Sequence, residues 1–188
     1  MYNNNSSLTM SDCEFRQNTI AGPEPASGGG AFINAWASNA VLTNCKFVQN
    51  TASAGAVGGL LNTAGSSVSL TDCLFLENSA GDTAGYGGAF GSTSSLINCD
   101  FVNNRASRCC GGMSIYQADA NFTNCRFIGN AALNDAGGGG VVQQNAQVTL
   151  TNCLFAGNTA TPYGGAGLWV GDSATARVIN STFTENLS

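Results

Sequence analysis

Seven times in 188 residues the chain writes Asn or Asp, a small residue, any residue, Phe, two more residues and Asn. The small residue is Cys13, Cys45, Cys73, Cys99, Cys125 and Cys153, with Ser181 in the seventh copy. The aromatic is Phe15, Phe47, Phe75, Phe101, Phe127, Phe155 and Phe183, and the closing amide is Asn18, Asn50, Asn78, Asn104, Asn130, Asn158 and Asn186. The residue before each anchor is Asp12, Asn44, Asp72, Asn98, Asn124, Asn152 or Asn180. A period of 26 to 32 residues kept in register through the whole chain belongs to a repeat architecture, in which each unit is completed by its neighbours.

Local patterning says what the unit is. Apolar residues three and five before the anchor, such as Leu70 and Val68, alternate at the period of a strand. The anchor and the Phe alternate again, with a slip of one residue at Asn or Asp, a type that tolerates the left-handed conformation of a tight bend. A glycine-led segment fills the rest of each period, as in VGGLLN from Val57 and GGMSIY from Gly111. Its apolar residues Phe32, Leu60, Phe90, Ile115, Val141 and Leu168 are expected in one inward row. The expected fold is all-β, a right-handed parallel β-helix of about seven coils with three short strands per coil. It forms a single solenoid domain over residues 1–188. Rungs lie roughly 4.8 Å apart, so Phe and Cys stack inside. Both Asn columns, at Asn44, Asn98, Asn124 and Asn152 and after each Phe, become amide ladders.

The motifs resemble the GGA[ILV]/FxxN repeats of the polymorphic outer-membrane proteins of chlamydiae and related β-helical, pectin-lyase-like surface proteins. The resemblance rests on Gly29-Gly30-Ala31, Gly87-Gly88-Ala89 and the segments FVQN, FLEN, FVNN, FIGN and FAGN. It implies a surface or secreted β-helix with an adhesive or scaffolding role. The glycine half departs from the pattern in VGGLL, GGMSI and GGGVV.

Composition narrows function. Charged residues are 9% of the chain and His is absent. Six Lys and Arg against a net charge of −5 cannot neutralise a phosphate track, which argues against nucleic acid. No apolar run approaches the roughly 18 residues of a spanning helix. Eight cysteines and sequons at Asn121 and Asn180, among others, lean towards a secretory route, although MYNNNSSLTM is not a signal peptide. An extracellular or cell-surface location is therefore expected.

Catalysis by a β-helix needs clustered carboxylates, a metal or a basic residue on one face. Asp12 and Asp72 belong to a corner column, and Asp82, Asp119, Asp135 and Asp172 to loops. Glu14, Lys46, Asp100 and Arg126 share an outward row of alternating charge. No enzyme and no cofactor are expected. Stacked thiols are read as small apolar core groups, while Cys109-Cys110 pairs either with itself or with another coil.

Two binding surfaces are expected. An outward row of Ile33, Leu61, Gly91, Tyr116, Val142 and Trp169 would form an apolar contact face for protein partners. Hydroxyl-bearing outward positions such as Thr9, Thr43, Thr71 and Thr149 offer the alternative of glycan or ice binding, with a lyase-like enzyme third. Strand edges at the two ends are expected to meet other coils, from the same or an identical chain, in a longer solenoid or a filament.

Overall fold

The computed structural model describes residues 1–20, 30–52, 57–89, 91–134, 137–161 and 164–188. Phe90, Glu24 and Asp135 lie outside them. The described residues form a parallel β-helix in which every named strand pairs only with its counterparts one coil below and one coil above. Three sheets hold seven strands each and a fourth holds six. Each coil is therefore four-sided, not three-sided.

The third coil illustrates the path. Leu60–Asn62 lies in the first sheet, Ser67–Thr71 in the second, Leu74–Leu76 in the third and Ser79–Ala80 in the fourth. The fourth side was missed because its strands are two residues long, too short to show any alternation. The bend leading into it is also hidden. Gln17, Gln49, Glu77, Asn103, Gly129, Gly157 and Glu185, each just before the closing Asn of the repeat, all have φ between 52° and 64°. The expected bend before the anchor is present as well, with φ of 45° to 55° from Asp12 through Asn180. Both corners thus turn on one left-handed residue. Asn and Gly reveal that preference in a sequence, whereas Gln and Glu do not.

The core is a set of columns parallel to the axis. Successive Phe rings from Phe15 to Phe183 lie 4.5 to 4.9 Å apart, with interplanar angles of 2° to 8°. Leu42, Leu70, Leu96, Phe122 and Leu150 form a second fully buried column.

The glycine-led strand departs from the expected register. Its inward row is Phe32, Leu60, Tyr86, Met113, Gly140 and Leu168. Ile115 and Val142 belong to a second inward row, two residues on, with Asn34 and Asn62. Val141 pairs with Trp169 instead. Glycine recurs just before this strand because the backbone there crowds the next coil. A Cβ placed on Gly59, Gly85, Gly112 or Gly139 would meet a carbonyl oxygen of the following coil at 2.1 to 2.4 Å.

Candidate functional site

The repeated amides serve the stack. From Asn50 to Asn158 the closing Asn is fully buried. Asn78 is typical. Its Nδ2 donates to Asn104 Oδ1 of the next coil and to the Phe47 carbonyl of the previous one, both at 2.9 Å. Its Oδ1 accepts from Asn50 N at 3.0 Å and Asn50 Nδ2 at 2.9 Å. Both N–H bonds and both lone pairs are used, which is what makes a buried amide tolerable. Asn18 is exposed and Asn186 half-buried, in the outermost rungs.

The column before the anchor differs. Asn44, Asn98, Asn124 and Asn152 are exposed, so this ladder lies on the outside of its corner. Asn98 donates to Asp72 Oδ1 at 3.0 Å, Asn124 to Asn98 at 3.1 Å and Asn152 to Asn124 at 3.2 Å. Asn44 donates to Asp12 at 2.6 Å. A third ladder escaped the sequence reading. Buried Asn3 donates to Asn34 Oδ1 at 2.8 Å, and Asn34 to Asn62 Oδ1 at 2.9 Å. Its signal is an Asn two residues after Phe32 and after Leu60, and it ends at Gly88, beyond which Ile115 and Val142 fill the column.

Cys13 is half-buried and the other five column cysteines are buried, all six as free thiols. Each thiol donates to the carbonyl two residues earlier, as from Cys73 to Thr71 at 3.3 Å. Ser181 Oγ makes the same bond to Ile179 at 2.9 Å. The anchor is thus a small donor turned into an apolar corner, a role that suits a thiol. Burial pushes the Cys45 thiol above its ordinary range. At Cys99 and Cys153, contacts with neighbouring thiols, Cys125 first, and then burial push upward too. Cys109 and Cys110 form a disulfide with each other.

The expected apolar contact face is not an exposed row. Leu61 and Val142 are buried, at 7% and 0% exposure, and Ile33, Tyr116 and Trp169 are half-buried. Ile33, Leu61 and Trp169 do share the outward row, but with Gly87, Ser114 and Val141. Val142 points inward and Tyr116 lies in a different row. Part of the outward row is covered by the approaching chain. Val57 packs beside Gly87 and Leu61, and Gly137 lies against Val141. Gly91 is in the turn into the second sheet, not in this row.

Several charged groups are occupied locally. Arg126 pairs with Asp100 on the adjacent rung, Arg16 with Glu14, and Arg108 with Asp82 at 3.6 Å. Glu77 accepts from Gln49 at 2.9 Å. Glu14, Lys46, Asp100 and Arg126 do share one outward row. Asn121 and Asn180 are both exposed, Asn121 on the outer face of the second sheet and Asn180 at a corner.

Two adjoining hollows lie on this same side. One is bounded by Ser92, Gln117, Asp119, Gln144 and Asn145, at the corner entering the second sheet. The other is a trough on that sheet, with Asp119, Gln147 and Thr175 along one wall and Asn121, Thr149 and Arg177 along the other. Asp119 belongs to both.

A stack of parallel coils with internal Phe and Asn columns defines a β-solenoid. A family model described as a right-handed β-helix region matches residues 58–186, and the chain belongs to that family. No curated protein matches the chain.

Proposed function

We propose that this β-helix is a non-catalytic structural module of an extracellular or cell-surface protein, a scaffold or adhesin. The observation that carries this reading is the position of the residues that recur. The Phe and the closing Asn are used for stacking one coil on the next, and the anchor thiol also faces a carbonyl of the previous coil, as from Cys73 to Leu42. The other recurring position, before the anchor, makes a corner. Repetition here builds length and stiffness, and the outward positions vary from coil to coil.

Two further observations support the location and the class. A disulfide between Cys109 and Cys110 suits an oxidising compartment. The FxxN and GGA motifs resemble those of chlamydial-type surface repeats. Partners along the axis are further coils, from this chain or an identical one, a reading supported by the pairing of each inner strand with a counterpart on either side. Such a module needs no cofactor.

The test combines activity and place. The purified chain is incubated with pectate, alginate, xylan and hyaluronan, and new reducing or unsaturated ends are measured. Intact source cells are treated in parallel with a protease, and loss of the protein is followed by immunoblot. The expected result is no polysaccharide cleavage together with protease sensitivity on intact cells. Cleavage of any polymer would overturn the non-catalytic reading, and protection until lysis would overturn the surface location.

A further inference from the structure

The outer face of the third sheet is unlike its neighbour. From the third coil to the sixth, one outward row is Leu76, Val102, Ile128 and Ala156, in register and each half-buried. The row two residues earlier is Leu74, Asp100, Arg126 and Leu154. Over the same coils the second sheet turns a single apolar side chain outward, Ile97, among Ser, Thr, Asn, Gln and Asp.

This face is also free of loops. Two residues, as at Asp72-Cys73 and Glu77-Asn78, join the third sheet to the second and to the fourth in each coil. The variation of the period between 26 and 32 residues is taken up on the other sides. No connection beside the face is therefore long enough to fold over it, and it stays open to a flat partner, the kind of exposed apolar surface that marks a contact.

The charges on the face say which partner fits. Two copies of one surface can meet about a two-fold axis in two ways. With that axis parallel to the helix axis, each row meets the other row of its own rung, which sets Asp100 against Val102 and Arg126 against Ile128. An unpaired charge buried on an apolar side chain is costly. With the two-fold axis along the strands, the helices run antiparallel and each row meets itself in reverse. Charge then selects the register. A centre on the fourth or fifth rung sets Asp100 or Arg126 against itself, and one between the third and fourth sets Lys46 against Arg126. A centre on the third sets the exposed corner acids Asp72 and Glu77 against themselves. A centre between the fourth and fifth rungs has none of these conflicts. Asp100 meets Arg126 of the second copy and Arg126 meets its Asp100, so the ion pair within each chain becomes a square of alternating charge. Leu74 meets Leu154, Val102 meets Ile128 and Leu76 meets Ala156. At the rim, Asp72 meets Asn152, a carboxylate facing an amide.

We propose that the outer face of the third sheet binds a second copy of this chain, antiparallel, about a two-fold axis between the fourth and fifth coils. The contact runs from the second coil to the seventh. At about 4.8 Å a rung and about 3.3 Å a residue it measures roughly 29 by 16 Å. That is at the small end of specific interfaces, so the dimer is weak and reversible. Lateral pairing goes beyond the scaffold reading and does not depend on it, since an enzyme built on the same coils would pair in the same way.

The test is sedimentation equilibrium of the 188-residue chain from about 5 µM to about 1 mM, the span in which so small an interface associates. A monomer–dimer equilibrium is expected. Arg126→Asp sets like charges across the axis, and Val102→Lys places an unpaired charge on Ile128 of the second copy. Each should weaken the dimer at least about tenfold. Combining Asp100→Arg with Arg126→Asp restores every opposite pair and should return it to within about threefold of wild type. All three positions face outward, and far-ultraviolet spectra check that the variants are folded. Register is read by mixing Leu76→Cys chains with Ala156→Cys chains under mild oxidation. A cross-linked heterodimer is expected, with little cross-linking of either chain alone. A chain monomeric throughout, or a dimer indifferent to both Arg126→Asp and Val102→Lys, overturns the proposal. So does a double exchange that associates no better than Arg126→Asp, or Leu76→Cys chains that link to one another as readily as to Ala156→Cys.

Discussion

Asn104 and Asn124 stand in neighbouring columns of the same repeat and hold their places for different reasons. Asn104 is fully buried and makes four bonds. It donates to Phe75 O and Asn130 Oδ1 at 2.9 Å each, and accepts from Asn78 N at 3.0 Å and Asn78 Nδ2 at 2.9 Å. Asn104→Ala leaves these groups buried without a partner, at about 1–3 kcal/mol apiece before relaxation. A loss of roughly 3–5 kcal/mol is expected, read as a lower urea midpoint with unchanged slope. Asn124 is exposed, and its φ of 55° is the stronger constraint. Asn124→Gly should stay within about 0.5 kcal/mol of wild type, whereas Asn124→Val should cost about 1–2 kcal/mol, since a side chain with Cβ branching resists this conformation. Equal costs for Asn104→Ala and Asn124→Gly would mean the buried ladder contributes no more than the outer one.

At the scale of the element, the strand segments are legible to the degree that they are long enough to alternate. Five-residue strands such as Ser67–Thr71 declare themselves through Val68 and Leu70, and their register follows from the anchors. Five of the six two-residue strands of the fourth sheet carry an inward Ala at their second position, as at Ala80 and Ala106, and Ala marks nothing in a sequence. The glycine-led strand misleads for another reason. Its inward row stands thirteen residues before the anchor at Leu60, Tyr86 and Gly140, but twelve before it at Met113. The corner of the fifth coil spends one residue, Gln117 between Tyr116 and Ala118, where the sixth spends two, Gln144 and Asn145, and this shifts the count, so apolar residues alone cannot assign the rows.

Two kinds of glycine can be separated on this element scale. Gly112 has no room for a Cβ, which would stand 2.3 Å from the Gly139 carbonyl oxygen and 3.0 Å from the Phe127 ring. Gly157 has a φ of 61° and nothing within 4 Å. Gly112→Ala must push two coils apart and should cost at least about 2–3 kcal/mol, the range of an overpacked core. Gly157→Asn places at that corner the residue type found at Asn103, with φ of 52°, and should change the melting midpoint by no more than about 1 °C, a few tenths of a kcal/mol in a domain of this size. Thermal unfolding of the two variants beside wild type checks both. A Gly112→Ala protein as stable as its parent would show that the close approach of the coils is not what requires glycine.

Over the whole molecule the cysteine column runs through six successive coils, and its chemistry follows from where it lies. The sequence shows the column but not its protonation, which depends on how completely the stack excludes water. Burial pushes the Cys45 thiol up, so its pKa in the folded chain exceeds the unfolded value of about 8.5. Below that value the thiol is neutral in both states and the native stack is at full strength. As pH rises further, the unfolded chain ionises first, and stability falls until the pH passes the folded pKa. Tyr86, fully buried with its hydroxyl on Ser94, has its pKa raised by burial and adds the same trend at still higher pH. The urea midpoint should therefore be flat between about pH 6 and 8 and decline from about pH 8.5 upward. At neutral pH a thiol reagent should modify half-buried Cys13 quickly. The five buried thiols should react only at the rate of global opening, because each can be uncovered only by separating coils. A midpoint that holds through about pH 10 would mean that the thiols ionise as readily folded as unfolded. Rapid reaction of all six in the native chain would mean that the coils separate locally, and the solenoid would then be too loose to act as a stiff scaffold.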